Sequence, residues 1–149
     1  MKNLRVIEAS GSNYEIGFKI GKETKEEIKK VLETTGYVNL SETYEIKIAY
    51  KNFLSILKKK FPKYIEELQG MADGAEVEFR TLMKLNLPEL KKIFKTSDSE
   101  HDQCTTFVLK DKDRVFIAHN EDGPFTADIF LLKVKLPSEI QVLTVCYYG

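Results

Sequence analysis

The sequence predicts an α+β protein: a strand and several helices, followed by a run of antiparallel strands. Between residues 11 and 95, apolar side chains recur at three- and four-residue spacing, the period of amphipathic helices. From residue 104 onward the chain is rich in β-branched and aromatic residues, in runs separated by turn clusters. The two regimes follow one another and do not alternate, which argues for segregated α+β layers over a wound βαβ sheet.

"LRVIEAS" (4–10) is short and partly alternating and reads as a strand. In "GSNYEIGFKIGKETKEEIKKVLETTG" (11–36), Ile16, Ile20, Ile28, Val31 and Leu32 keep helical spacing. Ser12 or Asn13 caps the start and Gly36 ends the helix. Gly17 and Gly21 lie inside this helix, not before it, so they read as a close-packing face and not as a phosphate loop. A second helix, 42–61, carries the stripe Ile46, Tyr50, Phe53, Leu54, Leu57 and Phe61. Its terminal "KKK" suits the negative end of the helix dipole better than it suits a nucleic acid. Pro62 opens a third helix, 62–72, with Asp73-Gly74 as its stop. A fourth covers roughly 80–95, kinked or divided at Pro88. "KTSDSEHDQ" (95–103) is a polar loop. "CTTFVL" and "RVFIAH" form a hairpin around "KDKD", and "IFLLKV" and "IQVLTVCYY" are joined by "LPSE". The predicted organisation is a strand plus helical segment, 1–103, and the start of an antiparallel sheet, 104–149, in one structural domain.

Composition removes several function classes. With 149 residues, 42% apolar and 31% charged, the chain has the make-up of a soluble domain with a real core. Lys plus Arg and Asp plus Glu balance at 23 each, so net charge draws it neither to nucleic acid nor to a membrane. No apolar run is long enough to span a bilayer, and "MKNLRVIEAS" lacks the apolar core of a signal peptide. The predicted location is cytoplasmic, where Cys104 and Cys146 are expected as free thiols. The apolar strand at the end of the chain predicts an uncovered sheet edge. That implies a fragment, self-association, or pairing with a chain that supplies the missing strands.

Cys146 lies within an apolar run and reads as a small buried hydrophobe. Cys104 opens a strand directly after a polar loop. The predicted hairpin turns the end of "RVFIAH" back beside the start of "CTTFVL", which brings His119, Asn120 and Asp122 near Cys104. The plain reading of "AHNEDG" is an Asn/Asp/Gly turn. The functional reading is a thiol beside groups that orient it and donors for a developing oxyanion. Three chemistries fit. His119 can act as base in a Cys–His dyad. A metal could sit on His101, Asp102, Cys104 and His119, but their spacing matches no regular zinc motif, so no metal or cofactor is expected. Cleavage after Gln103 would make Cys104 an N-terminus, whose α-amine titrates at about 7.7–8.0 and suits general-base work.

The third chemistry is also the one the wider sequence resembles. "DQCTTF", followed after a short hairpin by "AHNEDG" and preceded by "GSNYEIGFKIGK", resembles the acyl-coenzyme A:isopenicillin-N acyltransferase family of cysteine N-terminal nucleophile (Ntn) hydrolases. The resemblance spans most of the chain, with three motifs in the family's order. It implies an αββα sandwich, autocatalytic cleavage between Gln103 and Cys104, and residues 1–103 as the pro-segment. It further implies Cys104 as nucleophile, Asp122 as the acidic residue on the new amine, and Asn120 shaping the site. Thr105 and His119 are expected in support. Gln103 stands where the best-known member has glycine, and His119 where relatives tend to have Gln or Arg. Members are longer than this chain, and the resemblance places their oxyanion-hole and pocket residues after Gly149. The implied substrate is a small-molecule amide or acyl donor.

Overall fold

A computed structural model of the chain describes residues 4–35, 44–86, 105–120 and 129–148. The chain divides into two compact units, Met1–Thr96 with Asp128–Gly149, and Ser97–Ala127. Among the described residues no helix is long and apolar enough to cross a membrane.

The first unit opens with strand β1 (Arg5–Ser10). Gly11, at φ +115°, takes a backbone conformation that L side chains rarely adopt and turns the chain directly into helix α1 (Asn13–Glu23). Ser12 caps α1 through a reciprocal pair: Glu15 N–H donates to Ser12 Oγ (3.3 Å), and Ser12 N–H donates to Glu15 Oε2 (2.8 Å). The single helix expected over 11–36 is two, because α1 ends at Thr24 and α2 (Lys25–Thr35) begins beyond it. Thr24 leaves helical geometry at φ −116°, ψ 19°, and its buried hydroxyl donates to the Ile20 carbonyl (2.8 Å). Arg5 ties the strand to both helices, pairing with Glu23 (2.9 Å) and Glu27 (3.3 Å).

Helix α3 (Tyr44–Lys60) buries Tyr50 and Leu57 with Ile65 and Met83. Phe61, expected on that stripe, is exposed instead and forms the N-cap of α4 (Pro62–Ala75). The following Pro62 disfavours helical geometry at the residue before it, and Phe61 sits at φ −134°, ψ 53°. The expected stop at Asp73-Gly74 is also corrected: α4 runs to Ala75 and ends on Glu76 in the left-handed region (φ 55°). Gly74 is a helix-interior residue because of its partner. A Cβ at Gly17 or Gly21 would overlap the carbonyl oxygens of Glu67 or Met71, and one at Gly70 or Gly74 would overlap those of Tyr14 or Phe18. The close-packing face expected for Gly17 and Gly21 is therefore present, and α4 answers it with a matching pair. The described part of the fourth helix is α5 (Phe79–Leu85); Pro88 and the loop after it lie outside the described residues.

The first unit also holds β4 (Ile129–Lys135) and β5 (Gln141–Tyr147), in a sheet of order β1-β4-β5. β4 and β5 are antiparallel, whereas β1 runs parallel to β4, with Arg5 opposite Phe130 and Ser10 opposite Lys135. One face packs on the helices: Ile7, Ala9, Phe130, Leu132 and Val134 form a core with Ile16 and Ile20. The other face presents Val6, Leu143 and Val145 to solvent, with Leu143 67% exposed. The four-layer sandwich would need a second sheet on that face; the described residues of this unit form one helical layer and one sheet.

The second unit is a hairpin of β2 (Thr105–Asp111) and β3 (Arg114–Asn120). β2 extends through the first half of "KDKD", which leaves a two-residue turn, Lys112-Asp113, with Lys112 at φ +48°. Positive φ is what short hairpin turns require.

Candidate active site

The hairpin is built from its turn outward. Asp111 pairs with Arg114 beside the turn, where their side chains make an ion pair (3.4 Å), and the guanidinium of Arg114 lies over the Phe116 ring (5.7 Å). The register then fixes every later pair, ending with Thr106 opposite His119 and Thr105 opposite Asn120. The open end of the hairpin thus carries three of the residues singled out from sequence: Thr105, His119 and Asn120. Cys104 and Glu121 are the sequence neighbours of the last pair. Gln103, Cys104 and Asp122 lie outside the described residues, as do His101 and Asp102 from the metal set. Among the described residues no three His, Cys, Asp or Glu side chains form a group that could hold a metal.

One contact at this end was not foreseen. Thr106 Oγ1 and His119 Nδ1 lie 2.8 Å apart, a hydrogen bond whose direction follows the imidazole tautomer. Directly paired residues of an antiparallel ladder project to the same face, so Thr106 and His119 share one face with Val108 and Ile117. Thr105 belongs to the opposite face, with Phe107, Leu109 and Phe116. The signal was present in the strand lengths, since a two-residue turn at 112–113 makes paired positions sum to 225 and so sets 106 opposite 119. The bond engages one imidazole nitrogen and steadies the ring on the hairpin surface.

Both faces of the hairpin are apolar and exposed: Phe107 is 58% accessible and Ile117 71%. Cys146, in the first unit, is half-buried on β5 opposite Phe130. Burial pushes its thiol up, opposed by a hydrogen bond with Thr144 and reinforced by the charge of Glu67. A thiol held this way is a poor nucleophile at neutral pH.

No family model matches the chain. Individual relatives do. The chain is 34% identical over 128 residues to the beta-alanyl-dopamine/carcinine hydrolase of Drosophila melanogaster, covering 79% of this chain and 33% of the relative. It is 30% identical over 84 residues to the 40 kDa form of the acyl-coenzyme A:6-aminopenicillanic-acid acyltransferase of Emericella nidulans, covering 54% and 24%. It is 28% identical over 113 residues to protein dcd1A of Dictyostelium discoideum, covering 60% and 25%. The chain thus spans from about a quarter to a third of the length of these curated relatives. Two of the three are named as a hydrolase and an acyltransferase, so the homologues of this chain include members of the Ntn-hydrolase-like family that its motifs resemble.

Proposed function

We propose that the chain carries the nucleophile of an amide-directed hydrolase or acyltransferase, Cys104, which autocatalytic cleavage of the Gln103–Cys104 bond exposes as an N-terminus. The observation that carries this reading is the hairpin register. It sets Thr105 opposite Asn120 at the junction of the motifs "DQCTTF" and "AHNEDG". The names of the fly hydrolase and the fungal acyltransferase support the reaction class.

In the first step the Cys104 thiol adds to the Gln103 carbonyl. The peptide nitrogen takes up the thiol proton and leaves, and water hydrolyses the resulting thioester. The products are a Gln103 carboxylate and a Cys104 with free amine and thiol. In turnover the α-amine accepts the thiol proton and sulfur adds to the carbonyl of a small amide or acyl donor. Collapse expels the leaving group with that proton, and the acyl group passes to water or an acceptor amine. Asp122 is assigned to the new α-amine and Asn120 to shaping the site. Thr105 supports from the strand, and His119 from its bond to Thr106. A reduced thiol of this kind fits a cytoplasmic protein.

Intact-mass measurement tests the reading. Fragments that divide between Gln103 and Cys104, absent from Cys104→Ala, are expected. A chain that stays whole, with a Cys104 that resists thiol reagents under native conditions, overturns it. Activity in the uncut chain that vanishes with His119→Ala would transfer the role of base to the imidazole.

The exposed hairpin faces favour a second reading, a non-catalytic module that binds a partner or a second copy through its strands. Size-exclusion chromatography separates the two. A catalytically silent chain that self-associates, or co-purifies with a chain supplying further strands, supports the module, and an active monomer removes it.

A further inference from the structure

The helix–sheet interface of the first unit is not filled. A cavity of about 320 Å³ lies between α1 and α4 on one side and β4 and β5 on the other. Ile20, Met71, Phe130 and Leu132 give it apolar walls, to which Glu67 and Cys146 add a carboxyl and a thiol. Two further polar side chains of the lining are already engaged: Thr24 Oγ1 donates to the Ile20 carbonyl (2.8 Å), and Asn86 Nδ2 to the Leu82 carbonyl (3.2 Å). Glu67 is hydrogen-bonded to Asn13, and among the described residues no basic side chain pairs with it. Burial pushes its carboxyl above the usual carboxylate range. A part-buried carboxylate against apolar walls is costly unless a cation compensates it.

We infer that this cavity binds a small amine, with the apolar body of the ligand against Phe130 and Leu132 and its ammonium on the Glu67 carboxylate. Size narrows the class. At ~30 Å³ per water the cavity matches about ten waters, so the ligand has roughly ten non-hydrogen atoms, at the low end of natural pockets. Charge narrows it further: a carboxylate ligand would meet Glu67 as a like charge, and a neutral one would leave Glu67 uncompensated. The inference does not depend on the chemistry of Cys104. The lining draws on residues before and after the Gln103–Cys104 bond, so the cavity exists only while those two stretches stay packed together.

Amide chemical shifts of Ile20, Leu132 and Cys146 in the 149-residue chain, followed by NMR, report on the cavity directly. The probes are benzylamine, benzyl alcohol (neutral and of the same shape) and benzoate. Saturable shifts at these residues are expected with benzylamine, with about tenfold tighter binding than benzyl alcohol, the effect of one charge-assisted bond. Benzoate is expected to give no saturable shifts. Glu67→Gln should erase the tenfold preference and leave alcohol binding in place. Equal affinity for amine and alcohol, saturation confined to other parts of the chain, or no saturable binding overturns the inference. Should Glu67→Gln fail to fold, the amine-to-alcohol ratio of the unaltered chain decides alone: a ratio near ten supports the site and a ratio near one removes it.

Discussion

Helices α1 and α4 and the hairpin β2–β3 are each two elements lying side by side, and they differ in what they leave outside. The helices meet backbone to backbone at Gly17, Gly21, Gly70 and Gly74, and their apolar residues Ile16, Ile20, Leu68 and Ala72 are buried. The hairpin completes its ladder from Asp111–Arg114 to Thr105–Asn120 and still exposes Phe107, Val108, Phe116 and Ile117. Backbone pairing satisfies only the inward-facing hydrogen-bonding groups of a hairpin and covers neither of its faces, and a two-stranded ribbon has no interior of its own. The helical part of this chain supplies its own burial. The part that carries the candidate nucleophile does not.

Four substitutions break or sharpen that contrast. The largest effect is expected from Gly70→Val, which drives a branched side chain into the Tyr14 carbonyl. A loss of about 3 kcal/mol or more is expected in urea denaturation, and a loss below 1 kcal/mol would mean that the helices can separate at little cost. Ser12→Ala removes the reciprocal cap of α1 and should cost about 1 kcal/mol in the same assay. Glu67→Gln tests the helix–sheet cavity through pH. Because the folded carboxyl is raised, its contribution to stability is present below the unfolded pKa and lost as pH rises through the folded one. At neutral pH the variant should therefore melt above the unaltered chain, and the gap should close as pH falls below the carboxylate range. A variant that melts lower at neutral pH would show that the carboxylate is compensated in the unliganded chain. The smallest effect is expected from Ile117→Ser, within about 0.5 kcal/mol because the side chain is already exposed. A large loss there would show that the hairpin face is covered in solution.

What could be read from sequence follows the range of the forces involved. The start of α1 was legible because Ser12 and Glu15 form a local pattern. The packing role of Gly17 and Gly21 was legible because helical spacing puts them on one face. Their partners were not, since "ADGA" around Gly74 carries a local stop signal that only contact with α1 overrides. The break at Thr24 has no Gly or Pro to announce it and rests on a buried hydroxyl bond. The parallel pairing of β1 with β4 leaves no local trace at all. At the candidate site, the juxtaposition of Thr105, Thr106, His119 and Asn120 follows from strand length and turn size alone. The roles proposed for Cys104, Gln103 and Asp122 rest on motif resemblance alone, because these residues lie outside the described ones and local pattern does not say which thiol reacts.

The β1–β4 ladder has a consequence for the order in which the protein is made. Glu8 and Lys133 are bridged at 3.2 Å across 125 positions of sequence. Closing so long a loop is slow, and a ribosome extends the chain at about 5–20 residues per second. The inner face of the first strand and first helix therefore waits, unburied, for several seconds until residues 129–135 emerge. If the Gln103–Cys104 bond is cut before then, the N-terminal piece is released with Ile7, Ile16 and Ile20 bare. If it is cut afterwards, that piece is already seated. Synthesis itself thus sets a natural delay that would separate a productive scission from a wasteful one.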